Sequence, residues 1–465
     1  MSHATPESPA SLINESIAAK TGPVYRWRNS VTDYFHQTWS SFYSDEQVES
    51  RLLSLLPFYP ESDSTRTSRI INTDVSDGKF IHEFYIENTQ PPNEQSPETL
   101  DIVLVHGYAA SLGLFIDNYD TLSSIPGIRI HAIDLPGFGF SSRSKFPTDL
   151  KTSQEDILKV EDWFIDAIEE WRIKRNINKF TLMGHSFGGY LTSAYTLKYN
   201  KPITDDTGDS HNLIDKLVLI SPCGFERNKY SLLKDSKTAG LAISKQDREK
   251  QNELTAPEAY DDKDLSEALA NQEQIVHNEV EIEVSPMEMR VDNVVQKRSG
   301  RIMQSLWDKH VSPFSLIRNG GILKSKWISG WTTRRFGHVY HRNPEHFQII
   351  HDYIYRVFNG KGSGEFAITR VYAFAALARL PLLDRCPEEF VNMNLPTLLM
   401  YGDSDWMDEK AGLRMQKEIN TLSQKKYSID LSSYSLVPNA GHHLYLDNPP
   451  VFSEDVFKFI GAKQK

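Results

Sequence analysis

The sequence predicts an α/β fold in which a mostly parallel sheet is interrupted by one long inserted helical cap. Apolar runs of strand length alternate with amphipathic helical runs, and this alternation is typical of a parallel sheet. The next strand-like run after residue 221 begins only after Pro396, so residues 223–390 are predicted to leave the sheet and form the cap. The strand-like runs before the cap are 100–105, 128–134, 179–183 and 216–221.

Two further strand-like runs, around 69–72 and 80–87, precede the alternating segment. Asp77-Gly78 lies between them, and Asp-Gly favours the tight turn of an antiparallel hairpin. We therefore expect the sheet to open with a hairpin. The predicted division is an N-terminal helical extension (1–60), the first half of the core (61–222), a cap or lid (223–390) with an acidic insertion (245–288), and the second half of the core (391–465).

The composition indicates a globular protein with a large core and no disulfide framework. The chain has 465 residues, 39% of them hydrophobic, and two cysteines, Cys223 and Cys386. Two cysteines without metal-ligand spacing favour a reducing compartment. The sequence contains no run of about eighteen apolar residues, which a membrane-spanning helix would need. We expect neither a metal nor a cofactor.

The strand-like run 179–183 leads directly into a Gly184-x-Ser186-x-Gly188 pattern. When a strand precedes this pattern and a helix follows it, the serine sits on a sharp turn that exposes its hydroxyl group. A helical run, 190–199, does follow. The N-terminus of that helix would point at the serine and favour negative charge there. Ser186 is therefore the predicted nucleophile.

A second motif is expected to supply hydrogen-bond donors beside this serine. His106-Gly107 directly follows the strand-like run 100–105. At such a place the backbone N–H of the next residue can face a reacting oxygen atom, together with the N–H after the nucleophile. We predict that the amides of Tyr108 and Phe187 form an oxyanion hole.

The last two strand-like runs end close to residues that could activate the serine. The run 396–402 is followed by Asp405, and a run that begins at Tyr434 is followed by His442. The chain order of Ser186, the aspartate and the histidine is the order found in the α/β-hydrolase fold. The sequence therefore predicts this fold, with a mostly parallel sheet and an inserted helical cap.

Neighbouring residues leave alternatives for the acid and the base. Asp405 is favoured over Asp403 and Asp408 because the acid must clear the strand end and turn inward. His442 is favoured over His443 because it directly follows a glycine. In this mechanism the histidine takes the serine proton, the aspartate fixes its tautomer, and an acyl-enzyme forms.

Charge is distributed unevenly within the predicted cap. The formal net charge is −11, and residues 245–288 contain thirteen acidic and four basic residues, which we interpret as a solvated insertion. Residues 309–344 contain seven basic residues and no acidic one. Aromatic residues lie among these cations: Phe314, Trp327, Trp331 and Phe336.

Two interpretations of the basic segment stay open. Its rings could pack on the core as part of a helical cap. Alternatively, its rings and cations could also contact an anionic membrane, where rings lie at headgroup depth and cations meet phosphate. Because no RNA- or DNA-binding pattern accompanies the segment, no nucleic-acid partner is expected.

Four longer motifs occur in the chain: EDWFIDAIEEWR (161–172), GHSFGGY (184–190), SPFSLIRN (312–319) and GSGEFA (362–367). Together they resemble one lipid-active family of α/β hydrolases. This family contains the fungal cardiolipin-specific deacylase, the soluble fungal lysophosphatidate acyltransferase, and the animal N-acyl-phospholipid lipase and lipase-coactivator proteins. The resemblance runs from about Trp27 to Phe459, cap segments included.

The resemblance implies a serine phospholipase that removes a fatty acyl chain from a glycerophospholipid, with cardiolipin as the favoured substrate. It implies a phospholipid partner at an anionic membrane surface and a peripheral location at the mitochondrial inner membrane, with the cytoplasm or a lipid-droplet surface as the alternative. A second interpretation is a lysophosphatidate acyltransferase that uses acyl-CoA. A third is a non-enzymatic adaptor of a lipase, which the presence of Ser186 disfavours because the coactivator relatives lack that serine.

The family also carries a His-x4-Asp element, which His442 and Asp447 match. In the acyltransferase interpretation, Asp447 helps His442 to act as a base. In the alternative interpretation, Asp447 only caps the helix that follows residues 448–450, and His442 belongs to the triad.

Overall fold

A computed structural model provides the structure of the chain. The acidic insertion 245–288 and the first half of the N-terminal extension lie outside the described residues. The structure describes residues 27–39, 43–94, 98–204, 210–228, 230–233, 298–374 and 376–462.

Eight strands form one sheet in the order β1-β2-β4-β3-β5-β6-β7-β8. The pairs β1–β2 and β2–β4 are antiparallel, and every other neighbouring pair is parallel. The predicted α/β-hydrolase fold with a mostly parallel sheet is therefore confirmed. The strands are β1 (Arg66–Val75), β2 (Lys79–Asn88), β3 (Leu100–Val105), β4 (Ile128–Ile133), β5 (Phe180–His185), β6 (Ile214–Ile220), β7 (Thr397–Gly402) and β8 (Ser432–Val437).

The predicted hairpin joins β1 to β2, and its strands are longer than the apolar runs that predicted them. Asp77 and Gly78 both have a positive φ, 63° and 65°, as a two-residue turn between twisted strands requires. The pairing continues to Arg66 and Asn88 at the open end. Polar residues at the strand ends extend this pairing, and apolar periodicity alone does not detect them.

The central strands are buried along most of their length, as expected for parallel strands with helices on both faces. Helix α4 (Gln154–Lys174) begins after Ser153, whose hydroxyl group accepts a hydrogen bond from the Asp156 amide and so caps the N-terminus of the helix. The helices of the core and of the last part of the predicted cap are α3 (Ile116–Leu122), α4 (Gln154–Lys174), α5 (Phe187–Tyr199), α10 (Ile368–Val371), α11 (Pro387–Asn392), α12 (Glu409–Tyr427), α13 (Leu444–Asp447) and α14 (Pro449–Ile460).

Four of the helices between β6 and β7 lie within residues 298–358 of the predicted cap, and two N-terminal helices pack against them. Helix α1 (Trp27–Trp39) contacts α8 (Leu323–Arg342), and α2 (Asp45–Leu53) contacts α9 (Pro344–Phe358). No helix among the described residues is long and apolar enough to cross a membrane. The N-terminal and cap helices are α1 (Trp27–Trp39), α2 (Asp45–Leu53), α6 (Arg298–Asp308), α7 (Pro313–Asn319), α8 (Leu323–Arg342) and α9 (Pro344–Phe358).

Candidate active site

Ser186 lies between the end of β5 and the start of α5, in a conformation that few residues adopt. Its φ is 54° and its ψ is −118°. The two glycines of the motif permit this turn, because a Cβ atom at Gly188 would lie 2.7 Å from the Val105 carbonyl oxygen and one at Gly184 would lie 2.6 Å from the Gly188 carbonyl oxygen. The predicted sharp turn is therefore present, and it directs the serine to the carboxyl ends of the parallel strands.

The structure brings three of the predicted side chains into one hydrogen-bonded line. His442 Nε2 lies 3.0 Å from Ser186 Oγ, and His442 Nδ1 lies 3.2 Å from Asp405 Oδ1. The nucleophile follows β5, the acid follows β7 and the base follows β8. All three side chains are buried. With Nδ1–H donating to the carboxylate, Nε2 is free of a proton and can accept the hydroxyl proton.

Asp405 is held in its ionised form. Burial by itself would raise the pKa of this carboxyl group, but the field and the hydrogen bond of His442 outweigh burial and bring the pKa below its ordinary value. The Met407 amide also donates to Asp405 Oδ1 over 3.0 Å. An ionised partner fixes the tautomer of the histidine and would stabilise the imidazolium.

The alternatives to these residues have other contacts. The His443 ring packs on Trp331 and His185, and burial lowers its pKa well below the ordinary value. Asp408 caps α12 by accepting from the Lys410 amide, so neither residue takes part in the line of three side chains. Asp403 also takes no part in the hydrogen bonds that join Ser186, His442 and Asp405.

Asp403 instead holds the turn that precedes the histidine. Its two carboxylate oxygens accept from the amides of Asn439 and Ala440, over 2.8 and 3.2 Å. The helix after Asp447 has no side-chain cap, and Asp447 Oδ2 accepts from the Gly441 amide over 2.8 Å. Both ring nitrogens of His442 are already within hydrogen-bond distance of other groups. The structure therefore gives Asp447 a contact that neither sequence interpretation proposed.

The two residues whose backbone N–H groups are predicted to form an oxyanion hole lie close to the serine, since Phe187 directly follows it in the chain. A Cβ atom at Gly107 would lie 2.8 Å from Ser186 Cβ, which brings the loop with Tyr108 against the nucleophile. Among the described residues, neither the Tyr108 amide nor the Phe187 amide donates to a protein acceptor. Unpaired N–H groups next to a nucleophile can stabilise negative charge on a substrate oxygen.

Two buried histidines, His106 and His185, hold the backbone around the serine and His442. The sequence motifs did not predict a role for them. His106 Nδ1 donates to the Gly107 carbonyl over 2.7 Å, and its Nε2 accepts from the Leu135 amide over 3.0 Å. His185 Nε2 donates to the backbone carbonyl of His442 over 2.9 Å. Burial lowers the pKa of both rings, so both act as neutral groups. Their positions inside the His-Gly and Gly-x-Ser motifs are the signal that could have identified them.

The cap closes directly over the site. The Phe314 ring lies 5.4 Å from the Tyr108 ring, and the Trp331 ring lies 6.1 Å from the His443 ring. Phe336 is also buried, so these three rings of the basic segment pack inside the chain. This packing is the first of the two interpretations of that segment, and these rings do not face a membrane in this structure.

The resemblance motifs 312–319 and 362–367 both lie in the predicted cap and contact each other. Glu365 is buried and accepts from Arg318 and from the Ser312 hydroxyl group. Its second oxygen accepts from the Ser363 amide over 3.1 Å. The two motifs, distant in sequence, therefore meet in one ion pair.

No cluster of three or more metal-ligating side chains occurs among the described residues. The chemistry available at this site is that of the chain's own groups: a hydroxyl nucleophile, an imidazole base, an ionised carboxylate and two N–H donors. This set suits acyl transfer.

Comparison with known proteins identifies a fold family and several relatives of this chain. A family model described as "alpha/beta hydrolase fold" matches residues 102–449. The chain is 27% identical to the 1-acylglycerol-3-phosphate O-acyltransferase of Arabidopsis thaliana, over 94% of this chain and 83% of that protein. It is also 27% identical to the human (lyso)-N-acylphosphatidylethanolamine lipase, over 77% of this chain and 79% of that protein. The resemblance to a lipid-active family is confirmed.

A yeast protein and a solved bacterial structure also match the chain. A 1-acylglycerol-3-phosphate O-acyltransferase of Saccharomyces cerevisiae is 26% identical, over 86% of this chain and 90% of that protein. Among solved structures, the carboxylesterase CesB of Bacillus subtilis matches with a TM-score of 0.44 at 15% identity, over 90% of this chain and 96% of that chain.

Proposed function

Because the chain belongs to the α/β hydrolase fold family, we propose that it is a serine hydrolase that removes a fatty acyl chain from a glycerophospholipid, with cardiolipin as the favoured substrate. The observation that carries this proposal is the hydrogen-bonded line of Ser186, His442 and Asp405 beside two unpaired amides. The lipase among the relatives acts on a phospholipid by its name. The choice of cardiolipin depends on the family resemblance.

The proposed reaction proceeds through an acyl-enzyme. Ser186 Oγ forms a bond to the ester carbonyl carbon while its proton moves to His442 Nε2. The amides of Tyr108 and Phe187 stabilise the oxyanion, and the lysophospholipid leaves with the proton from the histidine. Water then loses a proton to His442 and attacks the acyl carbon, which releases the fatty acid and regenerates the serine.

An acyltransferase is the second candidate function, and the names of the plant and yeast relatives favour it to the same degree. In this reaction acyl-CoA would acylate Ser186 and release the thiol. The hydroxyl group of lysophosphatidate would then replace water as the acceptor. A buried site under a cap suits this outcome because it limits the access of water to the acyl-enzyme. The non-enzymatic adaptor is the least supported candidate because Ser186 is placed for reaction.

We also propose that the protein meets its lipid at an anionic membrane surface, and that α1 and the start of α8 form the contact. Trp39 and Phe35 are 79% and 61% exposed. Ile322 and Leu323 are exposed as well, and they directly precede Lys324. Exposed rings and aliphatic side chains beside lysines match the depth profile of an anionic lipid interface.

The mitochondrial inner membrane is the proposed location, on the family resemblance alone. The alternative is the cytoplasm or a lipid-droplet surface. Subcellular fractionation followed by immunoblotting of the tagged full chain separates the two locations. Cardiolipin is the expected substrate only at the mitochondrial inner membrane.

One assay tests the proposed reaction and its rival. The purified protein and Ser186→Ala are incubated with cardiolipin vesicles, and separately with lysophosphatidate and acyl-CoA. Mass spectrometry then measures free fatty acid and newly acylated lipid. We expect fatty acid from cardiolipin and loss of this product in Ser186→Ala. Acylated lipid without fatty acid would favour the acyltransferase, and unchanged activity of Ser186→Ala would refute both.

Flotation with vesicles tests the membrane surface. We expect the doubly substituted Phe35→Ser/Trp39→Ser protein to float less with anionic vesicles than the unchanged protein. Ile173→Ser is the matched control, because Ile173 is a comparably exposed apolar residue on α4. Binding that ignores both the vesicle charge and the salt concentration would contradict an anionic interface.

A further inference from the structure

Three successive backbone N–H groups just before the triad histidine all donate to carboxylates. The Asn439 and Ala440 amides donate to Asp403, over 2.8 and 3.2 Å. The Gly441 amide donates to Asp447 over 2.8 Å. Hydrogen bonds from backbone amides to ionised carboxylates are among the stronger ones in proteins. The turn is therefore held from two sides, by one carboxylate at the end of β7 and one in α13.

The turn between β8 and His442 depends on such anchors because its backbone is irregular. Asn439 has a φ of 53°, in the left-handed region. The Ser404 amide donates to the Ala440 carbonyl over 2.9 Å, so the strand end that carries the acid also touches this turn. A loop with few regular backbone bonds keeps one conformation only if its polar groups find fixed partners.

We propose that Asp403 and Asp447 form a carboxylate clamp that positions His442, and that Asp447 acts through the Gly441 amide and not as an acid or base in acyl transfer. The proposal rests on the proposed function, in which His442 is the base. The imidazole lies between Asp405 and Ser186 at 3.2 and 3.0 Å, so both of its nitrogens are engaged.

The clamp gives Asp403 and Asp447, both of which the sequence offered as candidate catalytic residues, the same structural role. Asp405 orients the imidazole ring, whereas Asp403 and Asp447 place the backbone from which that ring projects. Both levels matter because a displacement of the reacting groups of about 1 Å can reduce the rate by a factor of about 10². The clamp predicts the same loss whether water or a lysophospholipid accepts the acyl chain.

Two substitutions at one position separate the clamp from a chemical role. Asp447→Asn keeps an oxygen atom that accepts from the Gly441 amide, whereas Asp447→Ala removes the acceptor. We expect Asp447→Ala to lower kcat about tenfold for hydrolysis and transfer alike, with KM almost unchanged. Asp447→Asn should restore kcat to within about threefold, because charge-assisted bonds are about twice as strong as neutral ones. Asp408→Ala is the matched control, since Asp408 also accepts from a backbone amide but holds only α12.

A chemical role for Asp447 predicts the opposite pattern. Asp447→Asn would then be as inactive in transfer as Asp447→Ala, and hydrolysis would be unaffected in both variants. That pattern would overturn the clamp. The assays use a p-nitrophenyl ester for hydrolysis, and acyl-CoA with lysophosphatidate for transfer.

Hydrogen exchange tests the clamp independently of activity. We expect faster amide exchange in a peptide that covers residues 439–443 for Asp447→Ala and Asp403→Ala, and no change for Asp408→Ala. Unchanged exchange in both clamp variants would overturn the proposal. A fluorophosphonate that fails to label Ser186 in the unchanged protein would instead refute the proposed function, and the exchange result would then decide the clamp alone.

Discussion

Ser186 illustrates how far single residues determine this site. Its backbone has a positive φ, which for a non-glycine residue costs on the order of 1–3 kcal/mol and persists only when the surroundings impose it. The surroundings here are β5, the hydrogen bond from the Ser186 amide to the Ile220 carbonyl, and two glycines. The motif therefore encodes a strained turn that the neighbouring strands hold in place.

Substitution of Gly188 tests this packing. A Cβ atom there would lie 2.7 Å from the Val105 carbonyl oxygen, and this backbone cannot move without disturbing β3. We expect Gly188→Ala to lower the free energy of unfolding by about 1–3 kcal/mol, as overpacking does, and to abolish serine labelling by a fluorophosphonate. Thermal unfolding and labelling measure the two effects.

Gly321→Ala is the control for Gly188→Ala. Nothing lies within 4 Å of a Cβ atom at Gly321, whose φ is 54°. The control therefore includes backbone strain without a clash. Gly188 has no positive φ, so its substitution adds a clash alone, and we expect Gly321→Ala to keep labelling. If Gly188→Ala keeps both its stability and its labelling, close approach is not the reason for the glycine at position 188.

Asp405 is the residue whose charge the proposed mechanism needs. Its lowered pKa keeps it ionised, and the carboxylate sets the tautomer of His442. We expect Asp405→Asn to reduce kcat by a factor of about 10⁴ with little change in KM, because an amide at this position favours the wrong tautomer. Steady-state kinetics with a p-nitrophenyl ester provide the measurement. A comparable loss in Asp408→Asn would contradict the assignment of the acid.

At the scale of elements, a buried pair fastens α1 to the cap. His351 Nε2 lies 3.1 Å from Asp33 Oδ1, and its Nδ1 lies 3.2 Å from the Thr332 hydroxyl group on α8. Burial opposes both charges, but the partners outweigh it, so the pKa of His351 is raised and that of Asp33 is lowered. Asp352 adds negative charge next to the ring.

The stability of this contact should therefore depend on pH. A raised histidine pKa contributes stability that is fully present below the unfolded value of about 6.5 and is lost as the pH rises through the folded pKa. A lowered aspartate pKa contributes stability that is present above about pH 3.9 and is lost as the pH falls through the folded pKa. The pair should contribute fully between these two values.

Removal of the histidine tests this dependence. We expect His351→Gln to lower the free energy of unfolding by about 3 kcal/mol at pH 6, because a buried carboxylate would lose its partner, and by less at pH 9. Urea unfolding at both pH values is the measurement. His346→Gln on the same helix is the control. If His351→Gln lowers the free energy of unfolding by the same amount at both pH values, the pair is neutral in the folded protein.

At the scale of the whole molecule, cap and core share one apolar cluster. Phe314 and Trp331 of the cap belong to the same buried cluster as Tyr108 and the strands beneath it. Arg370 of the cap adds a polar link, because its guanidinium group donates to the backbone carbonyls of Leu150 and Thr148 in the core. Elements that share a core usually unfold together.

This continuity predicts a single unfolding transition. We expect far-ultraviolet circular dichroism, tryptophan fluorescence and fluorophosphonate labelling of Ser186 to change at the same urea concentration. A change in labelling at lower urea would mean that the cap opens separately from the core. In that case the contacts of Phe314 and Trp331 would be too weak to hold it.

The sequence predicted the fold and the proximity of Ser186, Asp405 and His442, because each follows a strand that apolar periodicity and glycine motifs identify. It could not predict the roles of Asp403 and Asp447. Their carboxylates accept from amides of a turn whose path depends on two strand ends meeting. No periodic signal records such a contact.

The sequence by itself therefore determined the class of fold and the chemical groups at the carboxyl ends of its parallel strands, since both follow from local patterns. Only the tertiary structure decided that the rings of the basic segment pack over the site, and that Asp447 bonds the Gly441 amide. The physical reason is that burial and hydrogen-bond partners are properties of surfaces that meet across long distances in the chain, and composition alone does not specify which surfaces meet.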